Sequence, residues 1–380
     1  MTASLPGGQL GGVLARLDAL GPLDTGAVAA CRARLDSLTK PPGSLGRLEA
    51  LAEQLAGITG EPSPAVARAA IVVATADHGV ASRGVSAYPT EVTAQMVANF
   101  AAGGAAISVL AASIGAPVVV LDVGVAGDIP VTAGRRVATG PGAAPGGGAG
   151  AGARVMTRRV RAGTADFTQG PAMRREEAVA AIEIGLELVG DLAAEGVDLL
   201  GVGEMGIGNT TAASAIASVL SGFAPDAVTG LGTGIDAEGR ARKVRVIEEA
   251  IRVNAPDRTD PIGVLATVGG LEIAALTGVI LGAAAARIPV VLDGFITGAA
   301  ALAATCLSPG IAVRLIAAHR SPEPGHAIVL QRLGLSPLLD LDLRLGEGSG
   351  AALGMGLVIA ATRIRDGMAT FADAAVSGPA

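Results

Sequence analysis

Tryptophan is absent from this 380-residue chain, tyrosine occurs once and aromatics make up only 2% of it. A core of this composition must be built from Ala, Val, Ile and Leu packed closely around 56 glycines. Only two cysteines are present, Cys31 and Cys306, with no paired spacing. That excludes a disulfide framework or a zinc-ribbon pattern and predicts a reducing, cytoplasmic setting. Basic charge is also scarce: the net charge is −6, which argues against general nucleic-acid binding. The first residues, MTASLPGG, lack a basic segment followed by a compact apolar run, so no signal peptide is read there. Residues 294–313 are uncharged and long enough to consider as a membrane span until Arg314. They are mostly Ala, Gly and Thr and are broken by Ser308-Pro309-Gly310, so a buried helix followed by a strand is predicted instead of a membrane segment.

What the sequence does hold is a series of short β-branched runs, each ending in Gly or a polar residue. They are 70–76, ending at Asp77-His78; 117–125; 197–202, ending at Gly203-Glu204; 288–292, ending at Asp293-Gly294; and 311–317, ending at His319. Short apolar runs alternating with Ala-rich helical stretches predict βα units in an α/β fold, a doubly wound and mostly parallel, Rossmann-like sheet. All the polar ends then gather along one edge. Residues 10–20, 25–38 and 45–58 read as helices, with Pro41-Pro42 as a break and Ser44 as a candidate cap. The C-terminal stretch 351–375 also reads as mainly helical. The expected organisation is an N-terminal helical segment 1–60, an α/β catalytic domain 61–350 and a C-terminal segment 351–380, the two ends forming a small helical domain. The low-complexity run 140–152 is expected to be a mobile surface loop.

Three constellations carry possible chemistry. Glu347 stands between Gly346 and Gly348, where an apolar stretch read as a strand gives way to a small-residue stretch read as a helix. A carboxylate held there is a candidate general base. The segment Gly203-Glu204-Met205-Gly206-Ile207-Gly208-Asn209-Thr210 follows a strand and opens a helix that Thr210 or Thr211 can cap. Amide groups at such a helix start favour a phosphate. Gly201, Gly203 and Gly206 also match G-x-G-x-x-G, but the nearest acid at the dinucleotide spacing, Asp226, falls in a loop, and the Gly-Lys end of a Walker loop is missing. A second glycine-rich segment, Gly230-Leu231-Gly232, precedes Lys243, which can reach a phosphate as a point charge or lie on a solvated helix face. Tyr88, Gln95 and Met96 suit a flat heterocycle or ordinary helix packing. His78, His319 and His326 lack metal-ligand spacing.

Eight stretches resemble the nicotinate-nucleotide–dimethylbenzimidazole phosphoribosyltransferases, the CobT family of cobalamin biosynthesis. They are LTKPPGSLGRLE (38–49), ADHGV (76–80), NFAAGGAAISVLA (99–111), LDVGVAGD (121–128), GVGEMGIGNTTAASAI (201–216), VGGLEIAALTGVILGAA (268–284), PVVLDGFITGAAALAA (289–304) and LDLRLGEGSGAALGM (341–355). The resemblance implies transfer of phosphoribose from nicotinate mononucleotide to 5,6-dimethylbenzimidazole, with inversion at C1′, by a homodimer needing no cofactor and no metal. It implies Glu347 as general base and Glu204 as a second carboxylate near the reacting centre. It places Gly203–Thr210, Gly230, Leu231, Gly232 and Lys243 around the ribose phosphate. Ser321, Arg344, Leu345 and Gly346 are expected to line the nicotinate and ribose region, and Tyr88, Gln95 and Met96 the acceptor base. The chain departs from the family pattern at Leu231, Tyr88 and the insert 140–152. Other readings of the glycine loop are an NAD-dependent oxidoreductase and a non-catalytic nucleotide-binding module.

Overall fold

Six parallel strands form the spine of the computed structural model, which describes residues 8–129, 152–232 and 234–377. The strands are β1 (Ala69–Ala76), β2 (Val118–Gly124), β3 (Arg154–Thr157), β4 (Leu199–Met205), β5 (Val290–Leu292) and β6 (Leu315–Ala317). Their spatial order is β3-β2-β1-β4-β5-β6, and every pairing is parallel. This is the doubly wound order, with the direction of winding reversing between β1 and β4. The central strands are buried on both faces, as the unbroken apolar runs require: all eight residues of β1 and all seven of β2 are buried.

Two cores flank the sheet. One face is covered by the helices Arg175–Ala194, Asn209–Ser221, Leu271–Ala285 and Phe295–Leu307. On the other, the helices Thr25–Asp36 and Arg47–Thr59 share a core with Ser349–Gly367 and with Ile71 and Val73 of β1. Helices from both ends of the chain therefore meet, and Ser349–Gly367 packs on Arg47–Thr59. The first helix, Gln9–Leu20, is separate: its stripe of Leu10, Val13, Leu14 and Leu17 packs on the opposite face, against Leu271–Ala285.

Several local expectations are corrected. β3 was not anticipated, being four residues beside the glycine-rich run. The stretch 311–317 is strand only at Leu315–Ala317, because Pro309–Arg314 forms a 3₁₀ turn first. Ser44 does not cap the next helix, whose N-cap is Gly46. The helix Asn209–Ser221 starts from Gly208, with neither Thr210 nor Thr211 at the cap. The stretch before Glu347 is no strand: Leu338 and Leu339 bond along β6, and left-handed Asp342 then turns the chain away. The C-terminal helix ends at Gly367, short of residue 375. The expected span 294–313 divides into the buried helix Phe295–Leu307 and that 3₁₀ turn. Most of the run 140–152, up to residue 151, lies outside the described residues.

Candidate active site

Gly346, Glu347 and Gly348 are left-handed in succession, with φ of 81°, 65° and 86°. For Glu347 that conformation costs about 1–3 kcal/mol and persists only where surrounding contacts enforce it. Those contacts are present. The Glu347 N–H donates to the carbonyl of Glu204 at the end of β4, at 3.2 Å. Asp293, just past β5, accepts from Gly348 N at 3.1 Å through Oδ2, and from Gly350 N (2.7 Å) and Ala351 N (3.2 Å) through Oδ1. One carboxylate thus satisfies the start of the helix Ser349–Gly367, whose N-cap, Gly348, has no side chain to do so. The turn lies flat on β4 because residue 203 is glycine: a Cβ there would overlap the Gly348 nitrogen.

Four acidic side chains, Glu204, Glu272, Asp293 and Glu347, are buried in this region. Burial pushes Glu347 up to about 7, and the charge of Asp293 adds to the rise. Burial also holds Glu204 well above the usual carboxylate range, reinforced by Asp293, Glu272 and Glu347. The Asn209 amide donates to Glu204 Oε2 and opposes that rise only in part. Neighbouring carboxylates in a dry site do not readily ionise together, so Glu204 holds its proton more tightly than an ordinary carboxyl while Glu347 titrates near neutral pH. His319 Nε2 lies 3.6 Å from Asp293 Oδ1. Burial works to lower the His319 imidazole, but the bond and charge of Asp293 outweigh it and raise it. His326 is pushed down to about 3 by burial and by His319; as a neutral ring it accepts from Ser321 N at 3.0 Å through Nδ1.

The anion-binding end is built from two glycine segments. Gly206-Ile207-Gly208 turns from β4 into the helix Asn209–Ser221, with left-handed Gly208 (φ 95°) as its cap. Ile207 N donates to Thr93 Oγ1 at 3.1 Å, tying the turn to the helix Glu91–Ala102. Lys243 is wholly buried, not on a solvated face, and its Nζ donates to Thr210 Oγ1 at 2.6 Å. Burial lowers its ammonium to about 8, against the opposing charge of Glu323. Glu323 Oε1 accepts from Gly232 N at 2.8 Å, and its carboxylate fills the space a Gly230 side chain would need. Gly201 and Gly203, by contrast, are strand residues. They accommodate Met355 and the Gly348 backbone, so the apparent dinucleotide fingerprint is a packing feature between β4 and the helix Ser349–Gly367.

Both ends open into one cleft of about 650 Å³, counting its solvent-open mouth. Glu204, Met205, Gly206, Ile207, Asn209 and Thr210 line it from one side, Arg344, Leu345 and Gly346 from another, with Gly232 and Ser321 between. Glu347 is buried beside this lining and Lys243 behind Thr210. Tyr88, 53% exposed, and Gln95, also exposed, do not line the cleft; neither do half-buried Met96, Gly208, Gly230 or exposed Leu231. Among the described residues no group of three His, Cys, Asp or Glu side chains is arranged to hold a metal ion.

A phosphoribosyltransferase family model matches residues 20–376. The chain belongs to this phosphoribosyltransferase family. It is 54% identical to the nicotinate-nucleotide–dimethylbenzimidazole phosphoribosyltransferase of Roseiflexus sp. (strain RS-1), over 94% of this chain and 96% of that one. It is 50% identical to the protein of the same name from Geobacter sulfurreducens, with the same coverage. The crystal structure of the Thermus thermophilus protein of that name, 47% identical, superposes with a TM-score of 0.82 over 94% of this chain and 100% of that one.

This phosphoribosyltransferase chain also places in the cleft residues that sequence reasoning did not assign to it. Gly294, Phe295, Ile296, His319 and Glu323 line it, and Asp293 grips the Glu347 turn. For Asp293 and His319 a signal existed, since each ends an apolar strand run. Glu323 carried none.

Proposed function

We propose that this chain transfers the phosphoribosyl group of nicotinate mononucleotide to 5,6-dimethylbenzimidazole, giving α-ribazole 5′-phosphate and nicotinate for the nucleotide loop of cobalamin. The observation that carries this reading is the common cleft: an amide-rich helix start backed by a buried lysine faces a turn holding a buried carboxylate poised near neutral pH.

The chemistry follows from that arrangement. In this reading the Gly206–Gly208 turn and the N-terminal end of the helix Asn209–Ser221 face the 5′-phosphate, the N–H groups of Ile207 and Asn209 being spent on holding the turn through Thr93 Oγ1 and the Gly206 carbonyl, and Lys243 adds its charge through the Thr210 side. Gly203, Met205 and the Gly230–Gly232 segment frame that grip. Ser321, Arg344, Leu345 and Gly346 border nicotinate and ribose. When the C1′–N bond breaks, its electron pair returns to the pyridinium nitrogen, which leaves neutral, so no general acid is needed. A ring nitrogen of the acceptor attacks the opposite face and inverts C1′. The acceptor's second nitrogen then loses its proton to Glu347, which must be ionised to take it. Glu204, whose proton affinity burial raises, lies beside the reacting centre as the second carboxyl. Holding donor and acceptor on one ribose contributes about 7–11 kcal/mol at most. Gln95 and Met96, on the helix tied to the phosphate turn by Thr93, and Tyr88, on the loop before it, flank the acceptor in this reading. The reading includes a cytoplasmic homodimer, a helical unit narrowed from the expected 1–60 and 351–380 to the helices Thr25–Asp36, Arg47–Thr59 and Ser349–Gly367, and no nucleic-acid or membrane partner.

The test is chromatography of products from nicotinate mononucleotide with a panel of benzimidazole and purine bases. Base-dependent release of nicotinate and appearance of an α-ribotide is the expected result. Binding of the nucleotide with no nicotinate released by any base would sink the reading.

A further inference from the structure

Directly behind the glycine turn lies a buried pair that the reaction above does not use. His78 follows β1, and Glu272 sits in the first turn of the helix Leu271–Ala285. His78 Nε2 and Glu272 Oε1 are 2.7 Å apart, and both side chains are fully buried. Their remaining polar atoms, His78 Nδ1 and Glu272 Oε2, have no hydrogen-bond partner. A buried polar pair of this kind is a weak source of stability, since apolar side chains of the same volume often do as well. Two orphaned atoms make this one weaker still.

Its surroundings point to another use. The Gly206–Gly208 turn rests on the end of β1 and on His78. An added Cβ at Gly206 would overlap the Ala76 carbonyl and come within 3.4 Å of His78 Cδ2 and Nε2, and one at Gly208 would come within 3.3 Å of Ala81 Cβ and His78 Cβ. At Gly270 an added Cβ would overlap His78 Cε1, so that glycine leaves room for the ring. Ile207, between the two glycines, is fixed from another side by Thr93. The turn is therefore held between the Thr93 hydroxyl and a seat of which the His78 imidazole is the side-chain part, and Glu272 fixes the direction of the imidazole.

We propose that His78, oriented by Glu272, is a positioning residue that sets the pitch of the Gly206–Gly208 turn and thereby its grip on the donor's 5′-phosphate. This rests on the phosphoribosyl-transfer reading. Amides at a helix start bind an anion only while they converge on it. Holding the turn rigid keeps them converged without touching the substrate.

The test compares two donors, nicotinate mononucleotide and its phosphate-free nucleoside, in full-length His78→Gln and Glu272→Gln. Both variants are expected to raise the KM for the mononucleotide about tenfold, the worth of one charge-assisted contact. kcat should stay within about threefold, and kcat/KM for the nucleoside should not fall, so the preference for the phosphorylated donor collapses. Inhibition by inorganic phosphate should weaken by the same factor. A parallel loss with both donors, or an unchanged preference, overturns the proposal. Should thermal melting show His78→Gln unfolded, Glu272→Gln alone decides, because it takes away the carboxylate that orients the imidazole while leaving the ring in place. Wild-type enzyme that releases no nicotinate from the mononucleotide would instead overturn the functional reading.

Discussion

The backbone of Glu347 is bonded to that of Glu204: the amide of one donates to the carbonyl of the other at 3.2 Å. The end of β4 and the start of the helix Ser349–Gly367 are thereby locked together, and the two carboxylates enter one site with different proton affinities. Their environments divide the work between them. Glu347 is poised near 7, whereas Glu204 is held well above the usual carboxylate range.

If Glu347 is the base, it must be ionised to act. kcat/KM should fall as pH drops below about 7, with a single protonation on the acid limb. Glu347→Gln should lower kcat by about 10²–10⁴-fold, leave donor KM near wild type and remove that limb. Steady-state rates between pH 5 and 9 check this, and near-wild-type turnover would take Glu347 out of the role.

Glu204→Gln should be far milder. A glutamine resembles a protonated carboxyl, so the variant changes shape and hydrogen bonding toward Asn209 but little charge. A kcat loss within about tenfold is expected, well short of the Glu347→Gln loss. Equal losses in the two variants would mean that Glu204 works as an anion.

Lys243 brings a buried ammonium to the phosphate end of the cleft, bonded to Thr210. Lys243→Ala should raise the donor KM about tenfold or more with a smaller effect on kcat. In the wild type the donor KM should also climb above pH 8, where the buried ammonium of the free enzyme gives up its proton. An effect confined to kcat would contradict phosphate anchoring.

Gly203→Ala tests the seat of the Glu347 turn from the far side. The new methyl would overlap the Gly348 nitrogen, so the turn must lift off β4. A displacement near 1 Å at a catalytic group can cost about 10²-fold. The expected result is that loss in kcat, with nucleotide binding measured by calorimetry retained.

Five of the six strands, their parallel arrangement and the gathering of polar ends at one edge were legible because each run is short and apolar and ends in Gly or a polar residue. The Gly206 loop was legible for the same local reason, and the Glu347 turn from its flanking glycines and the helix after it, though not from the strand expected before it. Three features were not. Lys243 reads as part of a basic helix face, and only packing shows that it points inward. The G-x-G-x-x-G match misled because Gly201 and Gly203 make room for Met355 and Gly348, which lie about 150 residues away in sequence. Asp293 caps a helix that starts 56 residues later, and Glu323 closes on Gly232 across 91 residues. Such long-range bonds leave no trace in local spacing.

Glu347 also bears on stability, and the sign can be worked out. Its folded value of about 7 lies above its ordinary 4.5, so the folded state holds the proton more tightly than the unfolded chain. Stability is then greatest below about 4.5, declines as pH rises towards 7, and has lost its full share above that. The loss is on the order of 3 kcal/mol at most, from the size of the shift. Glu347→Gln carries no ionisable group and escapes it. Urea unfolding should therefore find the variant more stable than wild type at pH 8, with the gap closing as pH falls towards 4.5. A constant gap, or a less stable variant at pH 8, would show that the carboxylate is not strained by its burial and that its poise for proton transfer has another origin.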